Sequence, residues 1–135
     1  MKRLLLIVGF ALISIETNAQ RVFYTLGKGI AEYNADSSSG WIYNTPQPSD
    51  LKVYVGPKSI TFNDEKKSTY TLVSEAPGIR EIEASVESWG ALDMNGKPCY
   101  ITLRTYKNGP VQTRISFFYN VNDKKRIYYN AVEGK

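Results

Sequence analysis

The sequence contains no histidine and one cysteine, Cys99, in 135 residues. The first absence removes Ser-His-Asp and Cys-His catalysis, imidazole metal ligands and an imidazole pH switch. The second removes an intrachain disulfide and a cysteine-rich zinc site. No cofactor or metal is expected. A strong charge of one sign is also missing, since 17 Lys and Arg face 13 Asp and Glu. The length suits one domain and falls short of a doubly wound fold or a (β/α)₈ barrel.

The one long apolar run is N-terminal. Lys2 and Arg3 precede an almost unbroken apolar stretch over residues 4–15, and Thr17-Asn18-Ala19 follows with a small-x-small pattern. Residues 1–19 therefore read as a secretory signal peptide, with cleavage before Gln20. The apolar run is shorter than the roughly 20 residues that span a bilayer. A periplasmic or extracellular protein is expected, with residues 20–135 as a single domain and no transmembrane helix after cleavage. Losing Lys2, Arg3 and Glu16 takes the formal charge from +4 to +3. The basic clusters Lys66-Lys67 and Lys124-Lys125-Arg126 lie between apolar segments and are expected as solvated turns. Nucleic-acid binding would need a basic stripe with interleaved aromatics, so none is expected.

Beyond Ala19 no stretch sustains helical spacing, whereas a period of two recurs. Leu51, Val53 and Val55 alternate with Lys52 and Tyr54. Ile60 and Phe62 flank Thr61, and Tyr70 and Leu72 alternate with Thr69, Thr71 and Val73. Ile82, Ala84 and Val86 alternate with Glu81, Glu83, Ser85 and Glu87. Cys99, Ile101 and Leu103 alternate with Tyr100, Thr102 and Arg104. Ile115 and Phe117 alternate with Arg114 and Ser116, and residues 126–132 are rich in Tyr. Such alternation predicts antiparallel strands with one wet face. Cys99 is in phase with Ile101 and Leu103, which predicts a small buried hydrophobe. A nucleophile would need a base to lower its pKa, and no His exists to supply one.

Turn chemistry sets registers. Lys107-Asn108-Gly109, read as a three-residue loop, pairs Thr105 with Val111, Leu103 with Thr113, Ile101 with Ile115 and Cys99 with Phe117. Asn95-Gly96, read as a two-residue turn, pairs Leu92 with Cys99, Gly90 with Ile101 and Ser88 with Leu103. Gly56-Pro57-Lys58-Ser59 suits a type I turn that pairs Val55 with Ile60 and Val53 with Phe62. Residues from about 50 to 132 thus form a meander of six or seven strands. Residues 21–26 add another strand, 30–34 stay open between strand and loop, and 36–40 read as a loop. The fold class is all-β, an antiparallel meander closing into a small barrel of about eight strands, with a sandwich as the alternative.

Candidate chemistry is sparse. Asp93-x-Asn95-Gly96 starts like a calcium loop, but Lys97-Pro98-Cys99 follows where oxygen ligands would be needed, so a hairpin is expected. Glu75, Glu81, Glu83 and Glu87 are possible acid–base groups, and Glu81, Glu83 and Glu87 read as one solvated acidic face. In 37–43 a Ser/Gly segment leads into Trp41 and Tyr43. Large amphipathic aromatics beside a flexible loop make good contact surfaces, and equally good barrel plugs. Trp89 and Tyr100 fall opposite Val86 and Ile101, as an exposed aromatic patch or a contact for the N-terminal segment. The candidate binding residues are Ser39, Trp41, Tyr43, Trp89 and Tyr100, with no catalytic residue.

Two resemblances attach to these residues. The run Trp41 … Asp50-Leu51-x-Val53-x-Val55 … Ile60-x-Phe62 … Tyr70-x-Leu72 … Trp89-x-Ala91-x-Asp93-x-x-Gly96-x-x-Cys99-x-Ile101 resembles short, exported, uncharacterised β proteins of Bacteroidetes-type bacteria. That resemblance implies no activity or site. Ser39-Gly40-x-x-Tyr43 is similar to one motif of the periplasmic membrane-bound and C-type lysozyme inhibitors, small exported barrels that insert a loop into the lysozyme cleft. It implies contact roles for Ser39 and Tyr43. Their companion Tyr-x-x-x-Thr-Lys-Gly motif and cysteine framework are absent. The expected function is an exported, non-catalytic binding module for a protein, a glycan or a small apolar ligand. The alternatives are a glycan hydrolase using Glu or Asp, a lysozyme-inhibitor-like protein and an envelope assembly subunit.

Overall fold

A computed structural model describes residues 20–36, 40–81 and 83–134, with Pro77 and Ile79 described through their backbone alone. The signal-peptide reading of residues 1–19 lies outside the described residues, as do residues 37–39 and Ile82. Ten strands form one antiparallel sheet: β1 (Arg21–Tyr33), β2 (Trp41–Tyr43), β3 (Gln47–Pro48), β4 (Lys52–Val55), β5 (Ser59–Phe62), β6 (Thr69–Arg80), β7 (Ala84–Leu92), β8 (Pro98–Tyr106), β9 (Thr113–Phe118) and β10 (Lys125–Glu133). Eight of them, β1 and β4 to β10, close into a barrel when β1 pairs with β10. No helix is long and apolar enough to cross a membrane among the described residues.

β1 is the spine of the sheet. The two pieces expected at 21–26 and 30–34 are one continuous strand of 13 residues. On one side it pairs with β10, from Phe23 against Glu133 to Glu32 against Lys125. On the other it pairs in turn with β4, β3 and β2. Its glycines admit close neighbours. A Cβ at Gly29 would lie 2.7 Å from the Tyr128 ring, and one at Gly27 would lie 2.9 Å from Pro46. Between Thr25 and Gly27 the register with β10 shifts by one residue. Such a bulge adds a residue to one strand and turns the following side chains to the opposite face. Phe23 and Thr25 point into the barrel, whereas Gly29 and Ala31 share the outward face with Tyr128 and Arg126.

The barrel core contains Phe23, Val53, Ile60, Phe62, Trp89, Ala91, Cys99, Ile101, Leu103 and Ile115. The β4–β5 register is the one expected, Val53 with Phe62 and Val55 with Ile60, and the Gly56 N–H donates to the Ser59 carbonyl at 2.9 Å. Two other hairpins differ. In β8–β9, Leu103 pairs with Ile115 and Ile101 with Phe117, two residues from expectation, because the turn opens into a longer loop closed by Tyr106 N–H to the Gln112 carbonyl. A shift of two preserves the faces. In β7–β8, Ala91 pairs with Cys99 and Trp89 with Ile101. Asn95-Gly96 is not a two-residue turn. Gly96, at φ 79°, follows a turn in which its N–H donates to the Asp93 carbonyl, and Asp93 then pairs with Lys97. The Asp93 carboxylate favours this three-residue loop by accepting N–H bonds from Asn95 and Lys97. The resulting one-residue slip reverses β7, so Trp89 faces the core and Val86 faces outward.

Both faces of the sheet are therefore partly covered. Adjacent Tyr128 and Tyr129 are both buried, one on each face. Ala84, Val86, Ala31 and Phe118 are buried on the outward side. At one barrel mouth Arg21 bridges β7 and β10 through Glu87 at 2.9 Å and Glu133 at 3.0 Å. At the other, the rings of Phe62, Tyr70, Phe117 and Tyr119 form a chain with centroids 5.0–5.8 Å apart.

Two stability predictions follow from these placements. Trp89→Ala opens a cavity in the core and should cost about 3–5 kcal/mol in urea unfolding, whereas Tyr100→Ala on the outward face should cost within about 1 kcal/mol. The hydrogen bond from Arg21 lowers the Glu133 carboxyl below its ordinary 4.5. The stabilisation from that bond is complete above the unfolded value and fades as pH falls through the lower folded value. Glu133→Gln should therefore flatten the loss of stability below about pH 4.5, measured by chemical denaturation across the acid range.

Candidate functional site

On the outward face, strands β2, β1, β10, β9 and β8 bring aromatic rings and guanidinium groups into two stacks. In the first, Tyr33 meets Trp41 edge-on at 5.6 Å. The Arg126 guanidinium lies 4.3 Å from the Trp41 ring and 3.8 Å from that of Phe118. Phe118 in turn stacks on Tyr100 at 5.4 Å. In the second, the Arg114 guanidinium lies 3.8 Å from the Tyr43 ring and donates to Asn130 at 3.1 Å and to the Tyr106 hydroxyl at 3.3 Å. Tyr43 meets Tyr128 edge-on at 5.1 Å, and the Tyr128 hydroxyl donates to the Asn44 carbonyl. Guanidinium groups held over ring faces gain cation–π attraction and lose rotational freedom.

Between the stacks lies a trough of about 500 Å³, within the volume range of small-ligand sites. Trp41, Tyr43 and Tyr106 form its walls with Arg104 and Arg126, and Thr102 and Ser116 bring hydroxyl groups to it. Glu81, at the end of β6, pairs with Arg104 at 3.1 Å and is the one carboxylate among the described lining residues. The Nε atoms of Arg104 and Arg126 are buried with no hydrogen-bond partner among the described residues. Burial pulls the Arg126 guanidinium down, with the charge of Arg104 adding to it against Tyr43 and Asp123. Burial also pulls Arg104 down, but Glu81 and the neighbouring tyrosines outweigh it and raise the group overall. Both stay cationic at neutral pH.

The candidate residues separate clearly. Trp41, Tyr43 and Tyr100 lie on this one face, with Trp41 and Tyr43 lining the trough. Ser39 lies outside the described residues. Trp89 is a core residue, 8% exposed, and not a member of any surface patch. Arg126, expected in a solvated turn, belongs to β10 and is wedged between two rings. Arg104, Arg126 and Tyr106 were not evident as site residues, and Glu81, considered only as an acid–base group or part of a solvated face, lines the trough as the partner of Arg104. The signal for them was the doublets Phe117-Phe118 and Tyr128-Tyr129, which on a strand mean that both faces are covered.

The acidic face also resolves differently. Glu81 binds Arg104 on the outward side, whereas Glu87 sits at the barrel mouth on Arg21. Two carboxylates on opposite faces of a sheet cannot flank one glycosidic bond. Asp93 is occupied by its own turn and by the Tyr119 hydroxyl at 3.0 Å, and its carboxyl is lowered chiefly by the Lys97 N–H. No group of three or more potential metal ligands occurs among the described residues. No family model matches the chain, and no curated protein or solved structure shows significant similarity to it.

Cys99 is 1% exposed in the core. Burial, and secondarily the Asp93 charge, push its thiol up to about 11. It should not react with a thiol reagent at about pH 8 in the folded protein and should react fully once unfolded in guanidinium.

Proposed function

We propose that this protein is an exported, non-catalytic binding module whose ligand occupies the outward trough between Trp41 and Tyr106. The observation that carries this reading is the convergence on one concave site of two arginines, Arg104 and the ring-clamped Arg126, with three aromatic side chains and the hydroxyls of Thr102 and Ser116. Sites of this kind combine apolar walls with a few fixed polar groups. The barrel supplies rigidity, since the lining residues of β8, β9 and β10 sit on paired strands and not on loops. The single lining carboxylate, already bound to Arg104, favours binding over two-carboxylate glycoside hydrolysis. Export rests on the N-terminal sequence pattern.

The test is ligand-dependent thermal stabilisation across a panel of sugars, organic acids and apolar compounds. A ligand that binds only the folded state at 100 times its Kd adds about 2.7 kcal/mol, a Tm rise on the order of 10 °C for a domain of this size. Trp41→Ala should abolish that rise while the ligand-free protein still melts cooperatively. An equal rise in both proteins would exclude the trough as the site.

A further inference from the structure

Resting on the trough as the binding site, we infer that its ligand is a carboxylate-bearing saccharide, and that Glu81 occupies the place its carboxylate takes. The charge at the site is unbalanced. Arg104 and Arg126 line it, Arg114 lies beneath Tyr43, and Glu81 is the one carboxylate among the described lining residues. Asp123, the acid that acts on Arg126, is engaged in its own turn, accepting the Asn120 N–H at 3.0 Å. An anionic partner is therefore favoured over a neutral one.

The form of the cations narrows the anion. Arg126 is held between Trp41 and Phe118 and donates through Nη2 to the Val121 carbonyl at 3.4 Å, so its planar group is oriented before any ligand arrives. An oriented guanidinium gives charge-assisted hydrogen bonds to a carboxylate oxygen with little conformational freedom lost on binding. The remaining lining narrows the body of the ligand. Thr102, Ser116 and Tyr106 line the trough with hydroxyl groups; that of Thr102 lies 3.4 Å from the Ser88 hydroxyl and that of Tyr106 accepts from Arg114. A wholly apolar ligand would strip these groups of water and return no hydrogen bonds, which is costly. A polyhydroxylated ring offers partners for the hydroxyls and an apolar C–H face for the aromatic walls.

Glu81 explains how the site stands without a ligand. Its carboxylate reaches Arg104 at 3.1 Å from the end of β6, and its side chain is 45% exposed. A half-exposed pair of this kind is weak and exchangeable. A ligand carboxylate that meets both Arg104 and Arg126 gains more than Glu81 does from Arg104 alone, and displaces it into solvent. Glu81 is thus an internal competitor that keeps Arg104 oriented and lowers affinity for weaker anions.

The chain has two tryptophans, which makes the test internal. Trp41 is in the trough and Trp89 is in the core, so two indole N–H signals report site and scaffold separately in ¹H–¹⁵N spectra. The probes are digalacturonate, its neutral counterpart galactobiose, inorganic phosphate and acetate. Digalacturonate should shift the Trp41 indole and leave that of Trp89 in place, with affinity falling as salt is added. Galactobiose should bind about tenfold or more weakly, lacking the charge-assisted bonds. Glu81→Gln should tighten digalacturonate binding by about two- to fivefold, and Arg126→Lys should weaken it with both indole signals retained as evidence of folding. Equal binding of galactobiose, or tighter binding of phosphate, at the Trp41 signal would overturn the carboxylated-saccharide assignment and leave the trough as a site. The same holds for acetate binding as tightly as digalacturonate. No Trp41 shift with any of the four probes would also overturn the assignment, and the thermal panel then judges the trough separately. An unchanged affinity in Glu81→Gln would overturn the competitor role.

Discussion

The outward site depends on one extra residue in β1. The strand pairs with β10 on both sides of a bulge at Thr25 and Gly27. Upstream of it, β1 delivers Phe23 and Thr25 to the barrel interior. Downstream, Gly29 and Ala31 turn outward, beneath Tyr128 and Arg126. An unbroken period of two would have sent Gly29 and Ala31 inward, leaving Tyr128 against whichever larger side chains then faced it. The glycine at 29 is required by the same geometry, because the Tyr128 ring occupies the space of a Cβ. With Tyr128 seated there, Tyr43 and Arg114 stack against it, and β2 can present Trp41 to Arg126.

This arrangement lets a small sheet have two covered faces at different heights. β7 shows it most plainly. Ala84 and Val86 are buried outward at its start, and Trp89 and Ala91 are buried inward at its end, with no register break against β8. The strand does not twist out of phase; the cover changes sides along its length. The barrel mouth marked by Arg21, Glu87 and Glu133 is where the change occurs. Polar groups there close the core and separate it from the outward layer.

The same feature sets how much was legible in the sequence. Val53, Val55, Ile60 and Phe62 are covered on one face only, so plain alternation located their strands, faces and register. Cys99, Ile101 and Leu103 were equally readable as a strand with one buried face, but not in register. Barrel closure followed from the length of the meander and the need to satisfy strand edges. The β7–β8 turn was misassigned because Asn95-Gly96 suits two turn types, and the Asp93 side chain, by binding two N–H groups, selects the longer one. That single residue moved Trp89 from a surface patch to the core. Arg104 and Arg126 were hidden because a charged residue on a strand normally marks the wet face, and here the outward face carries an aromatic layer of its own.

Closure of the barrel through β1 and β10 joins segments about a hundred residues apart, Phe23 against Glu133 at the extreme. The entropy of closing so long a loop must be met before any of those hydrogen bonds form. The hairpins from β4 to β9 are local and can assemble first. β1 is made before all of them, yet its longest partner is the last strand of the sheet. Until then one of its edges stays unpaired, with its backbone N–H and C=O groups open to solvent or to another chain. The outward trough has the same dependence, since Arg126 and Tyr128 come from β10. The barrel and the site thus share one long-range closure, and a chain cut short before β10 has neither.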